Sequence, residues 1–350
     1  MLLIRCDANT EIGAGHFFRE LALAEAAIDR GIPVAMAMHQ PARNFRELAA
    51  ASDVEIFSLE SAPNSAADSG ELRKLARDHG TRTVVIDGYQ FTTDYYQRLG
   101  DEKFTLAAVD DIAHQHFPVD ILVNVNPHAV ELDYDVPDDT RMLLGVDYAL
   151  LRRQFRQARA ALDAKGGPEI PQQISRVLVT MGGGDPTNET AKALKALQLA
   201  EFTGQADVVI GPANLHRSEL EILAANIDAD IRFHSNVSNM AQLMSGQHLA
   251  ICAAGGTTWE LACLGVPMMQ LVIADNQREI ARWLRTNEIA DALEGYCEVS
   301  AQLICARFGD FDRNLCLRKK RVSKSQILVD GKGATRTLNA LIGEVQPCRN

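Results

Sequence analysis

The chain has 350 residues, beyond the size at which one hydrophobic core usually stops growing, so two domains are expected. Hydrophobic residues make up 47% and charged residues 23%, the composition of a globular protein. A formal net charge of −11 argues against nucleic-acid binding, so any phosphate ligand must be attracted locally, by backbone N–H groups, helix N-termini and single arginines.

Short apolar strands alternate with longer helical patterns, the signature of parallel α/β architecture. In the first half Leu2–Cys6 reads as a strand and 17–29 as a helix, which Gly31 stops before strand 33–38. Helix 71–78 leads into the β-branched strand Thr83–Asp87. Helix Thr93–Leu99 and strands 104–109 and 121–125 follow. From residue 150 the pattern changes: 152–164 is charged and helical, and Lys165-Gly166-Gly167-Pro168 then breaks the chain. The second half restarts with strand Arg176–Thr180, helix 189–200, strand 206–210, helix 218–225 and strand 231–234. The pattern continues through 241–244, strand 249–252, helix 259–264 and strand 267–270 to helix 276–286 and a helical tail. The expected organisation is a domain at 1–150, a linker at 151–173 and a domain at 174–350. Two doubly wound Rossmann-like domains of this kind would bring their ligand loops together along a cleft.

Seven cysteines are scattered without pairs or framework spacing, which points to a reducing compartment and a cytoplasmic protein. The first residues do not read as a signal peptide. The apolar segment 249–274 is interrupted by Gly255-Gly256, Glu260 and Pro267, so a buried strand–helix–strand is expected rather than a membrane span. The run Arg318-Lys319-Lys320-Arg321 with Lys324 reads as the solvated face of a helix.

Three glycine-bearing segments follow strand ends. The first runs from Arg5 and Asp7 through Gly13 and Gly15 to His16 and Arg19. Its glycines allow close backbone approach to a ligand, and a histidine at a helix start is poised as a general base that Asp7 could orient. An ordinary turn with a capping histidine is the plainer alternative. The second, Met181-Gly182-Gly183-Gly184-Asp185, fits a backbone curling around an anionic or bulky group, or a plain loop. The third presents Gly255, Gly256, Thr257 and Thr258 at a helix start, where a pyrophosphate could bind. Glu260, in an apolar stretch, needs a partner, and ribose hydroxyls would suit it. Tyr89 after Asp87-Gly88 faces either a cleft or the rim, and Asn126 could bond a sugar or make a turn. Asn276-Gln277 is a helix cap or a polar clamp. Asp110-Asp111 with His114 and His116 lacks a standard zinc pattern, so turn formation and capping are preferred to a metal.

Taken together, RCDAN, IGAGHFFRELALA, VIDGY, VDDIAHQHFPVDILVNVNP, LLGVDYALLRRQF, VLVTMGGGDP, AAGGTTWELACLGVP, DNQREIA and VDGKGATRTL cover nearly the whole chain in order. In these the sequence resembles the UDP-2,4-diacetamido-2,4,6-trideoxy-β-L-altropyranose hydrolases of pseudaminic acid biosynthesis, which are related to the N-acetylglucosaminyltransferase acting on lipid-linked muropeptide. The resemblance implies a glycosyltransferase-B fold and a metal-independent hydrolysis releasing UDP. No cofactor, a monomer and no stable membrane association are expected. It also implies an essential role for His16, an active-site tyrosine at Tyr89, a UDP-binding segment at Gly255–Thr258 with Glu260 at the ribose, and a polar pair at Asn276 and Gln277. Gly88 departs from the histidine found there in some members. A glycosyltransferase using a hydroxyl acceptor, or a non-catalytic nucleotide-sugar binder, are the rival expectations.

Overall fold

A computed structural model of the chain describes residues 1–8, 14–100, 102–211, 214–293 and 299–344. It divides into two units, residues 1–153 together with the C-terminal stretch from Gly331, and Gln154–Asp330. Each unit is built on one parallel sheet.

The first sheet comprises β1 (Leu2–Cys6), β2 (Val34–His39), β3 (Glu55–Leu59), β4 (Thr83–Asp87), β5 (Thr105–Val109), β6 (Ile121–Asn124) and β7 (Arg141–Leu144). Their order is β3-β2-β1-β4-β5-β6-β7. The chain steps outward from β1 to β3, then crosses to β4 on the other side of β1. Ligand loops of doubly wound sheets gather at such a reversal. β1 is buried on both faces, as a central parallel strand must be. Leu2, Ile4 and Cys6 join the core shared with helix Gly15–Ile28, whereas Leu3 joins the opposite core with Leu72, Tyr95 and Tyr96.

The second sheet comprises β8 (Arg176–Thr180), β9 (Gln205–Val209), β10 (Asp230–His234), β11 (Leu249–Ala253), β12 (Met268–Leu271) and β13 (Asp291–Leu293). Its order, β10-β9-β8-β11-β12-β13, repeats the same grammar, with the reversal between β8 and β11. Val177, Val179, Ile251 and Met269 pack with Leu194, Leu197 and Phe308 in its core. The apolar segment 249–274 is the expected strand–helix–strand, and among the described residues no helix is long and apolar enough to cross a membrane.

The expected elements recur with shifted ends, and three unexpected strands appear: β3, β7 and β13. All three lie at sheet edges. Glu55 and Ser58 in β3, and Arg141 and Met142 in β7, are exposed, so these strands lack the continuous apolar run of a central strand. The helix expected at 71–78 begins at Ala66, because the Ser65 hydroxyl accepts the Asp68 N–H and caps an earlier turn.

The unit boundaries also differ from those expected. Helix Arg153–Ala164 contributes to the second unit from Gln154 onward instead of forming part of a linker. Helix Gly333–Leu341 returns to the first unit, where Ala334, Leu338 and Leu341 join the core beneath helix Gly15–Ile28. A Cβ at Gly333 would stand 2.2 Å from the Ala149 carbonyl oxygen, so only glycine permits this contact. In the basic run, Arg318 is fully buried and donates to the Gln172 and Asp312 carbonyls. Lys320 and Lys324 form the solvated face and pair with Glu288.

Leu338→Ala therefore removes core from the first unit although it lies in the C-terminal stretch. The expected loss is about 2–5 kcal/mol, seen as a lowered thermal midpoint. A surface-like effect below about 0.5 kcal/mol would contradict this placement.

Candidate functional site

β1 and β4 run side by side with Cys6 opposite Asp87. The helix Gly15–Ile28 opens one residue before His16, and residues 16 and 19 share a helical face. Both side chains reach Asp87. His16 Nδ1 lies 2.7 Å from Asp87 Oδ1, while Arg19 places Nε 2.6 Å from Oδ2 and Nη2 2.5 Å from Oδ1. Arg19 also donates through Nη1 to Asp111 Oδ2 at 2.7 Å. Tyr89 OH donates to the same oxygen at 2.7 Å, and Asn126 Nδ2 donates to Asp111 Oδ1 at 2.9 Å. The Tyr89 ring meets the His16 ring edge-on, 4.9 Å between centroids.

Burial alone would push the Asp87 carboxyl up, but Arg19 and His16 outweigh it and hold Asp87 well below the usual carboxylate range. Burial likewise opposes the Arg19 charge, and Asp111 and Asp87 overcome it. Asp87 is therefore ionised and can only accept, so His16 must carry its proton on Nδ1. Arg19 Nη2 lies 3.0 Å from that nitrogen, but a guanidinium donates only, and its hydrogen goes to Asp87. In the neutral imidazole this places the lone pair on Nε2, the arrangement of a general base. Burial and the neighbouring Asp111 charge push the Tyr89 phenol up, so it remains neutral.

Asp7 does not orient His16. Its Oδ1 accepts from Arg5 at 2.6 Å and from the His39 N–H at 2.7 Å, and its Oδ2 accepts from Gln90 at 3.1 Å. Arg5 is itself fully buried, also bonds Asp68, and stacks over Phe91. The RCD segment is thus a buried structural brace. Arg19, which closes the first glycine-bearing segment, is held by two carboxylates, Asp87 and Asp111. Gly13 lies outside the described residues, whereas Gly15 is exposed at the helix start. The Asp110 cluster does not converge: His116 pairs with Asp135 at 2.8 Å, and His114 lies 3.7 Å from Asp110. Asp110 Oδ2 accepts the Ile112 and Ala113 N–H groups, the expected turn formation.

In the second unit Thr180 lies opposite Cys252, bringing the turns after β8 and β11 to the same end of the sheet. Gly182 and Gly183 are exposed. A Cβ at Gly211, after β9, would lie 2.4 Å from both of their carbonyl oxygens, so glycine there allows the triple-glycine turn to settle on the sheet. Asp185 closes the turn by accepting the Glu189 and Thr190 N–H groups. Gly256 is exposed, and Gly255 and Thr257 are half-buried. Thr258 is fully buried, with its hydroxyl accepting from Gln270 at 2.8 Å, and so braces the turn from inside rather than facing a ligand. Glu260 is half-buried on the first turn of that helix. Asn276 is exposed, whereas Gln277 accepts the Ile273 N–H and caps its own loop.

The structure thus brings together His16, Arg19, Tyr89 and Asn126 from the expected set and adds Asp87 and Asp111. The only sequence signal for these two was a carboxylate closing or following a β-strand, each beside a residue already singled out.

No protein-family model matches the chain. It is 27% identical over 295 residues to the UDP-2,4-diacetamido-2,4,6-trideoxy-beta-L-altropyranose hydrolase of Campylobacter jejuni, covering 81% of this chain and 95% of that protein. It is 24% identical over 284 residues to an uncharacterised protein of Methanocaldococcus jannaschii, covering 79% of this chain but spanning only 57% of that relative. It is 26% identical over 205 residues to the Bacillus subtilis spore coat polysaccharide biosynthesis protein SpsG, covering 57% of this chain and 58% of that protein. Among solved structures, Acinetobacter baumannii MurG matches with a TM-score of 0.69 at 15% identity, over 98% of this chain and 99% of that one. Phytolacca americana UGT2, complexed with UDP-2fluoro-glucose and pterostilbene, matches with a TM-score of 0.67 at 12% identity over 98% and 99%. The chain is a distant homologue of the hydrolase and has the glycosyltransferase-B fold.

If Asp87 holds the His16 Nδ1 proton, that proton should give a resolved, downfield NMR resonance in labelled protein. The signal should survive Asp7→Asn and vanish in Asp87→Ala. Loss in the Asp7 variant alone, with the fold retained, would restore Asp7 as the partner.

Proposed function

We propose that the protein hydrolyses a UDP-linked 2,4-diacetamido-2,4,6-trideoxy sugar, of the altropyranose type, to UDP and the free sugar without a metal. The observation that carries this reading is His16 pinned through Nδ1 by an ionised, buried Asp87, with Nε2 left as an acceptor. Such a group is of use for taking a proton from water, and a simple binder has no need of it. The sugar is taken from the similarity to the hydrolase, which extends over 95% of that enzyme.

In the proposed step His16 Nε2 accepts a proton from water as the oxygen attacks the anomeric carbon. The bond from that carbon to the UDP oxygen breaks, and its electron pair leaves with UDP. The configuration at the carbon inverts. Asp87 stabilises the imidazolium as it forms. UDP is a good leaving group, so the remaining task is to stabilise its charge, which suits the Gly255–Thr257 helix start and the Gly182–Gly183 turn. Glu260 would take the ribose, and Asn276 the sugar or phosphate. Tyr89 and Asn126, fixed by Asp111, would line the sugar side, with Tyr89 acting as a neutral wall and hydroxyl.

Incubation with the UDP-diacetamido-trideoxy sugar, followed by NMR, should show UDP and free sugar accumulating with no acceptor present. A strict requirement for a hydroxyl acceptor would favour transfer instead. His16→Ala should retain UDP binding and lose roughly two to four orders of magnitude in rate; near-normal turnover would reject the base. Because its phenol is pushed up from the ordinary value of about 10, Tyr89 should contribute no titration to the rate below that pH. Tyr89→Phe should therefore leave both limbs of the pH–rate profile in place while changing KM or kcat. A limb abolished by this variant would assign Tyr89 a proton-transfer role.

A further inference from the structure

Glu20 lies one helical turn beyond His16 and is fully buried. Neither of its carboxyl oxygens meets a hydrogen-bond donor among the described residues. The charged groups that act on it are Asp87, at the end of β4, and Arg19, on its own helix; Cys6, at the end of β1, faces it as a buried thiol. An ionised carboxylate stripped of water and of donors is among the most costly arrangements in a protein interior. Counting charges leads to the same conclusion. Glu20, Asp87 and Asp111 share one guanidinium, that of Arg19, and two of the three already bind it directly. Crowded carboxyls do not all ionise, and the one without donors retains its proton.

We propose that Glu20 is a neutral carboxylic acid whose proton is directed at Asp87, making it a positioning residue that restrains the charge and orientation of the His16–Asp87 pair. Burial pushes its carboxyl up, Asp87 adds to that, and Arg19 only partly opposes it. A proton shared toward Asp87 draws electron density from the carboxylate that faces His16. The imidazole is then less readily converted to imidazolium before water is bound, and Nε2 stays available as the base. The kinetic part of this inference rests on the proposed hydrolysis; the protonation state of Glu20 does not.

The test uses the full chain with 13C-labelled glutamate carboxyls, compared with Glu20→Gln. One glutamate resonance should remain at the position of a protonated acid at neutral pH, where an ordinary glutamate is ionised, and be missing from Glu20→Gln. If every glutamate carboxyl appears ionised at neutral pH, the proposal is overturned whatever the activity. In kinetics, Glu20→Leu, which cannot donate, should lower kcat on the order of ten- to a hundred-fold. It should also move the acid limb of kcat/KM upward, because an unrestrained Asp87 favours the inactive imidazolium. Glu20→Gln, which still donates a hydrogen bond, should recover most of the rate and return the limb. A loss in both variants with the limb unmoved would mean a merely structural role and would overturn the proposal. If Glu20→Leu does not fold, as judged by its thermal midpoint, the NMR signal and the position of the Glu20→Gln limb decide. A protein that shows the protonated glutamate but hydrolyses no UDP-sugar would leave the Glu20 assignment standing and count against the proposed function.

Discussion

Asp87 is a charge with no water around it, and the arrangement of the first unit's site follows from keeping it ionised. A buried carboxylate survives only when its oxygens are filled by donors and its charge is opposed. Arg19 supplies the opposing charge through two of its nitrogens, and His16 supplies a further donor. That requirement fixes the tautomer of His16 and leaves Nε2 as the basic atom. Arg19 in turn needs a second carboxylate, Asp111, which also gathers Tyr89 and Asn126. One ion-pair network thus holds His16 by Nδ1 and gathers Tyr89 and Asn126 on Asp111.

The fold makes this network possible by strand order. Because β1 and β4 are neighbours although β2 and β3 intervene in sequence, the helix after β1 starts beside the residue that closes β4. Residues 16 and 87 meet through the parallel register of two strands that are buried along their length. The second unit repeats the device between β8 and β11, with glycines where the first unit has charges. Its turns offer backbone instead of side chains, a difference in chemistry that suits holding a phosphate rather than moving a proton.

Central strands were legible because burial on both faces demands continuous apolar runs, as in Leu2–Cys6 and Thr83–Asp87. The edge strands Glu55–Leu59 and Arg141–Leu144 were not, since one side is open to solvent and polar residues are tolerated there. The return of helix Gly333–Leu341 to the first unit was hidden for another reason: its apolar face looks the same whichever core receives it. At the site, His16 and Tyr89 could be singled out from their place at helix and strand ends. The identity of the carboxylate beside His16 could not. Asp7 is close in sequence and Asp87 is distant, and only the register of β1 against β4, together with the competing demand of buried Arg5 for Asp7, decides between them. Thr258 shows the opposite error, a hydroxyl in a ligand-like motif that turns inward to Gln270.

The central claim is that His16, set by Asp87, activates water against a sugar carbon rather than against phosphorus. Turnover of the UDP-diacetamido-trideoxy sugar in 18O-enriched water, with mass analysis of the released UDP, tests this most directly. Attack at the anomeric carbon predicts UDP free of the label. UDP carrying one solvent-derived 18O would place the attack at phosphorus and contradict the account.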